Sequence, residues 1–113
     1  MNKVILMGRL TRDPETRYTQ VKNTLVASFT LAVNKKGNQD ADFFNIVAWS
    51  KTGEFVSKYF KKGMKVSVIG RLSTREYEDK NGIKKHITEV IAEEVYFTDR
   101  RKEWNNKWYR HWF

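Results

Sequence analysis

Short stretches with the two-residue period of a β-strand recur along the chain. In the clearest of them, Leu25–Val33, every odd-numbered residue is apolar, as expected for a strand with one buried face. Four further strands are predicted at Val4–Leu10, Asp42–Trp49, Lys65–Tyr77 and Ile83–Phe97. Gly70 lies inside the fourth predicted strand and indicates a bend or bulge there, because glycine weakens a strand interior.

Between the third and fourth predicted strands the period becomes that of a helix. One apolar stripe is formed by Phe55, Val56, Tyr59 and Phe60. Gly63 is predicted to stop this helix. Asp13-Pro14 indicates a turn after the first strand, and Asn81-Gly82 predicts a hairpin turn between the last two strands.

Five strands with one short helix between the third and fourth give the layout of an all-β OB-fold barrel. Residues 1–98 are therefore predicted to form one barrel domain, and residues 99–113 a basic, Trp-rich C-terminal tail. Trp104, Trp108 and Trp112 recur every four residues in this tail and would share one side of a helix. Three interpretations stay open: packing on the barrel or a neighbouring subunit, additional stacking groups, or a disordered or partner-binding tail.

The composition narrows the class of partner. The chain has 22 Lys and Arg against 13 Asp and Glu, a formal charge of +9, which favours a polyanion: nucleic acid or an anionic membrane face. Nucleic acid is favoured because the charge is accompanied by 7 Phe, 5 Tyr and 4 Trp. No cysteine is present, which suits a reducing cytoplasm. No apolar run approaches the roughly 18 residues of a membrane span.

The stretch DADFFNIVAWS carries aromatic residues on both faces of the third predicted strand. One face holds Phe43, Asn45, Val47 and Trp49, and the other holds Phe44, Ile46 and Ala48. Ile46 and Ala48 are predicted core residues. Phe43 and Trp49 have two interpretations: a platform on which nucleobases stack, or a face covered by a subunit contact.

The fourth predicted strand adds cations to a further aromatic ring. Its outward row is Arg71, Ser73, Arg75 and Tyr77, and three lysines surround the following hairpin: Lys80, Lys84 and Lys85. The lysines alone are typical of edge protection against sheet pairing. Together, two aromatic-bearing strands with interleaved cations indicate a surface for single-stranded nucleic acid.

Catalysis is not predicted. The two histidines, His86 and His111, lie on different segments, and Glu93 and Glu94 point to opposite faces of a strand. No carboxylate cluster of the kind a metal-dependent nuclease uses is evident. We therefore expect no enzyme, no metal and no cofactor.

The motifs also resemble a known family. NKVILMGRLTRDPETRYT, VASFTLAVN, DFFNIVAWSK, YFKKG, VIGRLSTREYEDKNG and TEVIAEEVYF follow the order and spacing of bacterial and phage single-stranded DNA-binding proteins across residues 1–98. The resemblance implies an OB fold and sequence-independent binding of single-stranded DNA during replication, recombination and repair. It also implies a cytoplasmic, nucleoid-associated location and a homo-oligomer, with a tetramer favoured and a dimer as the alternative.

The resemblance carries over to particular positions. It assigns base stacking to Phe43, Trp49 and Tyr77, and phosphate binding to Lys3, Arg17, Lys51, Lys62 and Arg75. The loop NKKGNQD lacks the aromatic residue that family members often carry, so Lys35 and Lys36 are expected to compensate by charge. Arg71 joins the phosphate-binding set because it shares the outward row of Arg75.

Two features of the family leave alternatives open. Members usually end in an acidic tip that docks replication and repair proteins. Residues 99–113 are basic, so the resemblance does not extend to recruitment through such a tip. Replication and repair proteins stay open as partners. The alternative function is a primosomal-type OB-fold module that loads or recruits replication enzymes. Base stacking and phosphate binding do not distinguish ribose from deoxyribose, so RNA stays open as a second ligand.

Overall fold

The structure, a computed structural model, describes residues 1–37 and 39–98. Its strands are β1 Val4–Leu10, β2 Glu15–Tyr18, β3 Leu25–Asn34, β4 Ala41–Trp49, β5 Lys65–Glu78 and β6 Lys84–Phe97. A single helix in this part of the chain, α1 Ser50–Tyr59, connects β4 to β5. The tail predicted for residues 99–113, with Trp104, Trp108 and Trp112, lies outside the described residues. Among the described residues, no helix is long and apolar enough to cross a membrane.

The strands form one closed sheet. Their order is β1-β5-β6-β4-β3-β2, and β1 also pairs with β3 through Arg9 and Leu10, which joins the two sides of the sheet. All pairings are antiparallel except the one between β4 and β6. The predicted fold class, a five-stranded OB-fold barrel with a helix between its third and fourth strands, is confirmed, and β2 is an addition beside β3.

The core lies inside the barrel and under α1. It is built from alternate residues of the strands, so the two-residue period read from the sequence also identifies the inward face. Ala27, Phe29 and Leu31 of β3 are buried, as are Val66 and Val68 of β5. Phe60, which follows α1, closes one end of the core, and its ring meets that of Phe29 edge to face at 5.7 Å.

The sequence pattern did not predict β2, and it placed the end of the helix too far along the chain. All four residues of β2 are exposed, so the strand has no apolar alternation, and its pairing with β3 is its defining feature. The helix ends at Tyr59 with Phe60 as its C-cap, whereas Gly63 lies in the following turn with a φ of 85°. At Phe60 the backbone is extended and the side chain is fully buried in the core, so the helix ends before it.

Gly70 marks an irregularity in the β5–β6 pairing, as predicted. Ile69 pairs with Glu94 but Gly70 pairs with Ala92, so one residue of β6 is left over at this point. A Cβ atom on Gly70 would lie only 2.1 Å from the carbonyl oxygen of Ile91. The missing side chain therefore allows the two backbones to approach closely where the long hairpin bends.

Gly70→Ala is expected to lower the free energy of unfolding by about 1–3 kcal/mol, because the added methyl group must displace backbone. Urea unfolding at a fixed protein concentration measures the change. Thr74→Ala is the matched control, since Thr74 is exposed on the same strand, and it should cost well under 1 kcal/mol. Equal midpoints for the two variants would show that the close approach at Gly70 is unimportant.

Candidate nucleic-acid interface

The outward face of β4 carries two exposed rings. Phe43 is 66% exposed and Trp49 is 42% exposed, whereas Ile46 and Ala48 on the opposite face are fully buried. The division of β4 into an inner and an outer face, predicted from the sequence, is confirmed. Phe44 is half-buried and packs against the core. The rings of Phe43 and Trp49 therefore face away from the core of this chain.

Trp49 is held at the junction between a strand and a helix. It is the last residue of β4 and the N-cap of α1, and Ser50 next to it takes a left-handed φ of 53°. This conformation lets the chain turn directly from strand to helix without a connecting loop. The backbone of Trp49 is thus held by both β4 and α1.

The side chains of β3 that lie beside the two rings are short. Across the β3–β4 pairing, Trp49 lies opposite Val26, Val47 opposite Ser28, Asn45 opposite Thr30, and Phe43 opposite Ala32. These partners on β3 have short side chains, so none rises to the height of an aromatic ring. The result is a shallow surface with a ring near each end, which suits a flat ligand.

Tyr77 contributes a third exposed ring from the arm formed by β5 and β6. It is 45% exposed and lies opposite Lys85. The predicted hairpin turn at the end of the arm is confirmed. The carboxylate of Asp79 accepts hydrogen bonds from the backbone N–H groups of Asn81 and Ile83 at 2.9 and 3.0 Å. The turn is therefore well defined close to Tyr77.

A groove separates the arm from β4. The parallel strands β4 and β6 pair only at Ile46 with Val90 and at Val47 with Ile91, and their preceding halves diverge. The groove between them holds about 200 Å³. Its lining includes Ser28, Thr30, Asn45, Arg75, Ile87 and Glu89. Because Asn45 lies between Phe43 and Val47 on the outer face of β4, the groove opens onto the surface that carries the rings.

Glu89 is the unexpected residue of this groove. It is only 8% exposed and is the one buried charged side chain in the part of the chain that the structure describes. Its Oε1 accepts a hydrogen bond of 3.0 Å from Nε of Arg75, whose side chain remains half-exposed. The sequence carried a signal for this residue, because Glu89 lies between Ile87 and Ile91 on one strand face, where an acid needs a partner.

All eight predicted phosphate-binding cations are exposed: Lys3, Arg17, Lys35, Lys36, Lys51, Lys62, Arg71 and Arg75. Sheet register places two of them in rows with the platform residues. Arg17 lies opposite Val26, which faces Trp49, and Arg71 lies opposite Ile91, which faces Val47. Lys51 directly follows the Trp49–Ser50 junction, and the loop bearing Lys35 and Lys36 joins the β3–β4 pair beyond Phe43.

Among the described residues, three of the eight cations form ion pairs, and the pair of Arg75 with Glu89 is one of them. Nζ of Lys3 lies 3.5 Å from Glu93, and Nζ of Lys35 lies 3.5 Å from Asp42, with both carboxylates exposed. Exposed pairs of this kind contribute little and exchange readily for another anion. Lys62 lies elsewhere, in the turn after α1, where its backbone N–H donates to Asp13. The structure does not place Lys62 in the rows that contain the rings.

A second exposed apolar surface lies on β1 and the adjoining strands. Ile5 and Met7 point outward from β1, and Met7, Ser67 and Tyr96 form one row across β1, β5 and β6. The hydroxyl of Tyr96 donates a hydrogen bond to the carboxylate of Glu94, and this bond raises the pKa of Tyr96. Among the described residues, Val4–Met7 pair only with β5, so the other edge of β1 is open there.

Comparison with known proteins identifies related sequences. Residues 1–98 match the Single-strand binding protein family. The chain is 48% identical over 110 residues to Single-stranded DNA-binding protein 3 of Clostridium acetobutylicum, covering 94% of this chain and 76% of that protein. It is 46% identical over 112 residues to Single-stranded DNA-binding protein 1 of Staphylococcus aureus, covering 95% and 71%. The chain belongs to the single-strand binding protein family, which confirms the resemblance.

Proposed function

We propose that this protein binds single-stranded DNA without regard to sequence and protects it during replication, recombination and repair. The observation that supports this most directly is the pair of exposed rings, Phe43 and Trp49, at the two ends of a shallow strip of the barrel surface. Buried aromatic rings contribute to stability, whereas rings left open on a rigid sheet are available to a flat ligand. Membership of the family supports the same ligand.

Binding proceeds by electrostatic capture and then by stacking. Phosphates are drawn to the basic surface, and bases then stack on Phe43, Trp49 and Tyr77. Every nucleobase has a π-face, so this contact carries no sequence preference and contributes roughly 1–3 kcal/mol per base. Duplex DNA hides the faces of its bases and binds more weakly. No covalent bond changes in the process, so the proposed function requires neither catalysis nor a cofactor.

Seven exposed cations hold the phosphates in this proposal: Lys3, Arg17, Lys35, Lys36, Lys51, Lys62 and Arg71. The carboxylates beside Lys3 and Lys35 are exposed and can be replaced by phosphate. Arg75, the eighth predicted contact, differs from these seven because its charge is already matched by a buried carboxylate.

The assembly we propose is a homo-oligomer in the cytoplasm, associated with the nucleoid, with four chains favoured over two. The open edge of β1 and the exposed side chains of Ile5 and Met7 support self-association, because such edges readily pair with a second chain. Light scattering after gel filtration, with and without oligo(dT), measures the mass. A mass of one chain at micromolar concentration would contradict this part of the proposal.

Titration of a fluorescein-labelled oligo(dT) by fluorescence anisotropy tests the function. We expect tight binding at low salt, with log K falling linearly against log salt at a slope of about −0.7 for each phosphate contacted. Annealing the oligonucleotide to its complement should weaken binding strongly. Equal affinity for the single strand and the duplex would contradict the proposal.

A further inference from the structure

We propose that Arg75 and Glu89 together form a subsite for the edge of a nucleobase and that Arg75 does not bind a phosphate. This inference rests on the proposed function, because it concerns the same groove and the same DNA. It also reassigns one of the cations that the family resemblance assigns to phosphate binding. The inference is based on the buried carboxylate of Glu89, which lies in the surface proposed to bind a polyanion.

The charge of Arg75 is already compensated in the free protein. Its Nε lies 3.0 Å from a carboxylate oxygen of Glu89, and the Glu89 side chain is 10% exposed. Glu89 differs in this way from Glu93 and Asp42, the exposed partners of Lys3 and Lys35. A phosphate that took Arg75 would leave the Glu89 charge buried and unpaired, which is strongly unfavourable.

The pair keeps hydrogen-bonding capacity while its net charge is zero. A guanidinium has five N–H donors, and Nε accounts for one of them. Among the described residues, no other hydrogen bond or ion pair of Arg75 is formed. The carboxylate of Glu89 and the amide of Asn45 add acceptors beside these donors. Base edges present mixtures of donors and acceptors, whereas a phosphate presents acceptors alone.

The position of the groove suits a base. It lies between the rings of β4 and the arm that carries Tyr77, so bases turned toward the platform pass over it. Its volume of about 200 Å³ lies below the roughly 300–1,000 Å³ of sites for drug-sized ligands, and so fits a ring better than a whole nucleotide. Ser28, Thr30 and Asn45 give it polar groups without charge, and another part of its wall is lined by the ion pair between Arg12 and Glu15.

Salt dependence separates a base contact from a phosphate contact. The test variant is the double substitution Arg75→Gln with Glu89→Gln, which removes both charges and leaves no buried carboxylate unpaired. We expect its affinity for oligo(dT) to fall about tenfold, as for loss of one good base contact, with the salt slope unchanged. The matched control is Arg71→Gln, on the same strand and face but without a carboxylate partner among the described residues. Its slope should become shallower by about 0.7.

Two further measurements sharpen the assignment. The first uses an abasic oligonucleotide of the same length, which retains only sugar and phosphate. Arg71→Gln should bind it more weakly than the wild type does, whereas the double variant should bind it as tightly as the wild type. Glu89→Gln alone should make the slope on oligo(dT) steeper by about 0.7, because it releases the charge of Arg75 for a phosphate.

The inference is overturned if the double variant makes the slope shallower as Arg71→Gln does, or if its affinity equals that of the wild type. Circular dichroism and thermal unfolding confirm that each variant is folded before its binding is compared. Failure of the wild type itself to bind oligo(dT) would overturn the proposed function and this inference with it, so the two failures are distinguishable.

Discussion

The triple variant Phe43→Ala, Trp49→Ala, Tyr77→Ala is expected to bind oligo(dT) at least about 100-fold more weakly than the wild type while remaining folded. Each ring lost removes stacking worth roughly 1–3 kcal/mol per base, and tenfold in affinity corresponds to about 1.4 kcal/mol. All three rings are exposed, so their removal creates no cavity in the core. Anisotropy of a labelled oligonucleotide measures the affinity, and thermal unfolding checks the fold.

The salt dependence of this variant adds a second, independent expectation. Its slope of log K against log salt should match that of the wild type, because every cation is retained. The matched control is Tyr18→Ala. Tyr18 is also exposed, but it lies opposite Leu25 on β3, on the other face from Val26 and Trp49. This control should bind as the wild type does. A triple variant that binds normally, or that unfolds, would contradict the stacking role.

Phe60→Ala is expected to have the largest effect on stability, a loss of about 3–5 kcal/mol in the free energy of unfolding. Phe60 is fully buried, and its ring contacts those of Phe29, Phe55 and Phe97 at centroid distances of 5.7, 6.0 and 5.5 Å. Truncation would leave a cavity where α1 meets the barrel. A domain has only about 5–15 kcal/mol of stability, so the loss is a large fraction of it.

Urea unfolding of Phe60→Ala at a fixed protein concentration gives this number, since oligomerisation makes stability depend on concentration. Tyr59→Ala is the matched control, because its ring adjoins the same cluster but is half-exposed, and its cost should be about 1–2 kcal/mol. Equal losses for Phe60 and Tyr59 would contradict the core assignment of Phe60.

The strands that enclose the core could be predicted from the sequence because their burial alternates. β3 buries Ala27, Phe29 and Leu31 on one face, and a period of two in the apolar residues is sufficient to identify both the strand and its inner face. In β4 the burial is less regular, because Val47 on the outer face is buried along with Ile46 and Ala48. The same alternation separated Phe43 and Trp49 from Ile46 and Ala48. β2 could not be predicted, because a strand that buries no side chain leaves no apolar pattern and depends on backbone pairing with β3.

The rings of the candidate site were predictable, but the electrostatics of its groove were not. Lys and Arg can be read from the sequence, whereas their partners depend on the register in which two strands pair. Arg75 and Glu89 are 14 residues apart and meet because β5 and β6 form one hairpin. The family resemblance placed Arg75 among the phosphate contacts and did not single out Glu89. The register of the hairpin supplies the missing information.

The most direct measurement of where bases lie is photocrosslinking. An oligonucleotide containing 5-iododeoxyuridine is irradiated in complex with the protein, and the linked residues are mapped by mass spectrometry. Stacked aromatic side chains couple preferentially to this base, so we expect links at Phe43, Trp49 and Tyr77. Links found only at other aromatic residues, such as Tyr18, Tyr96 or those of residues 99–113, would show that bases do not stack on the outer face of β4 and the β5–β6 arm.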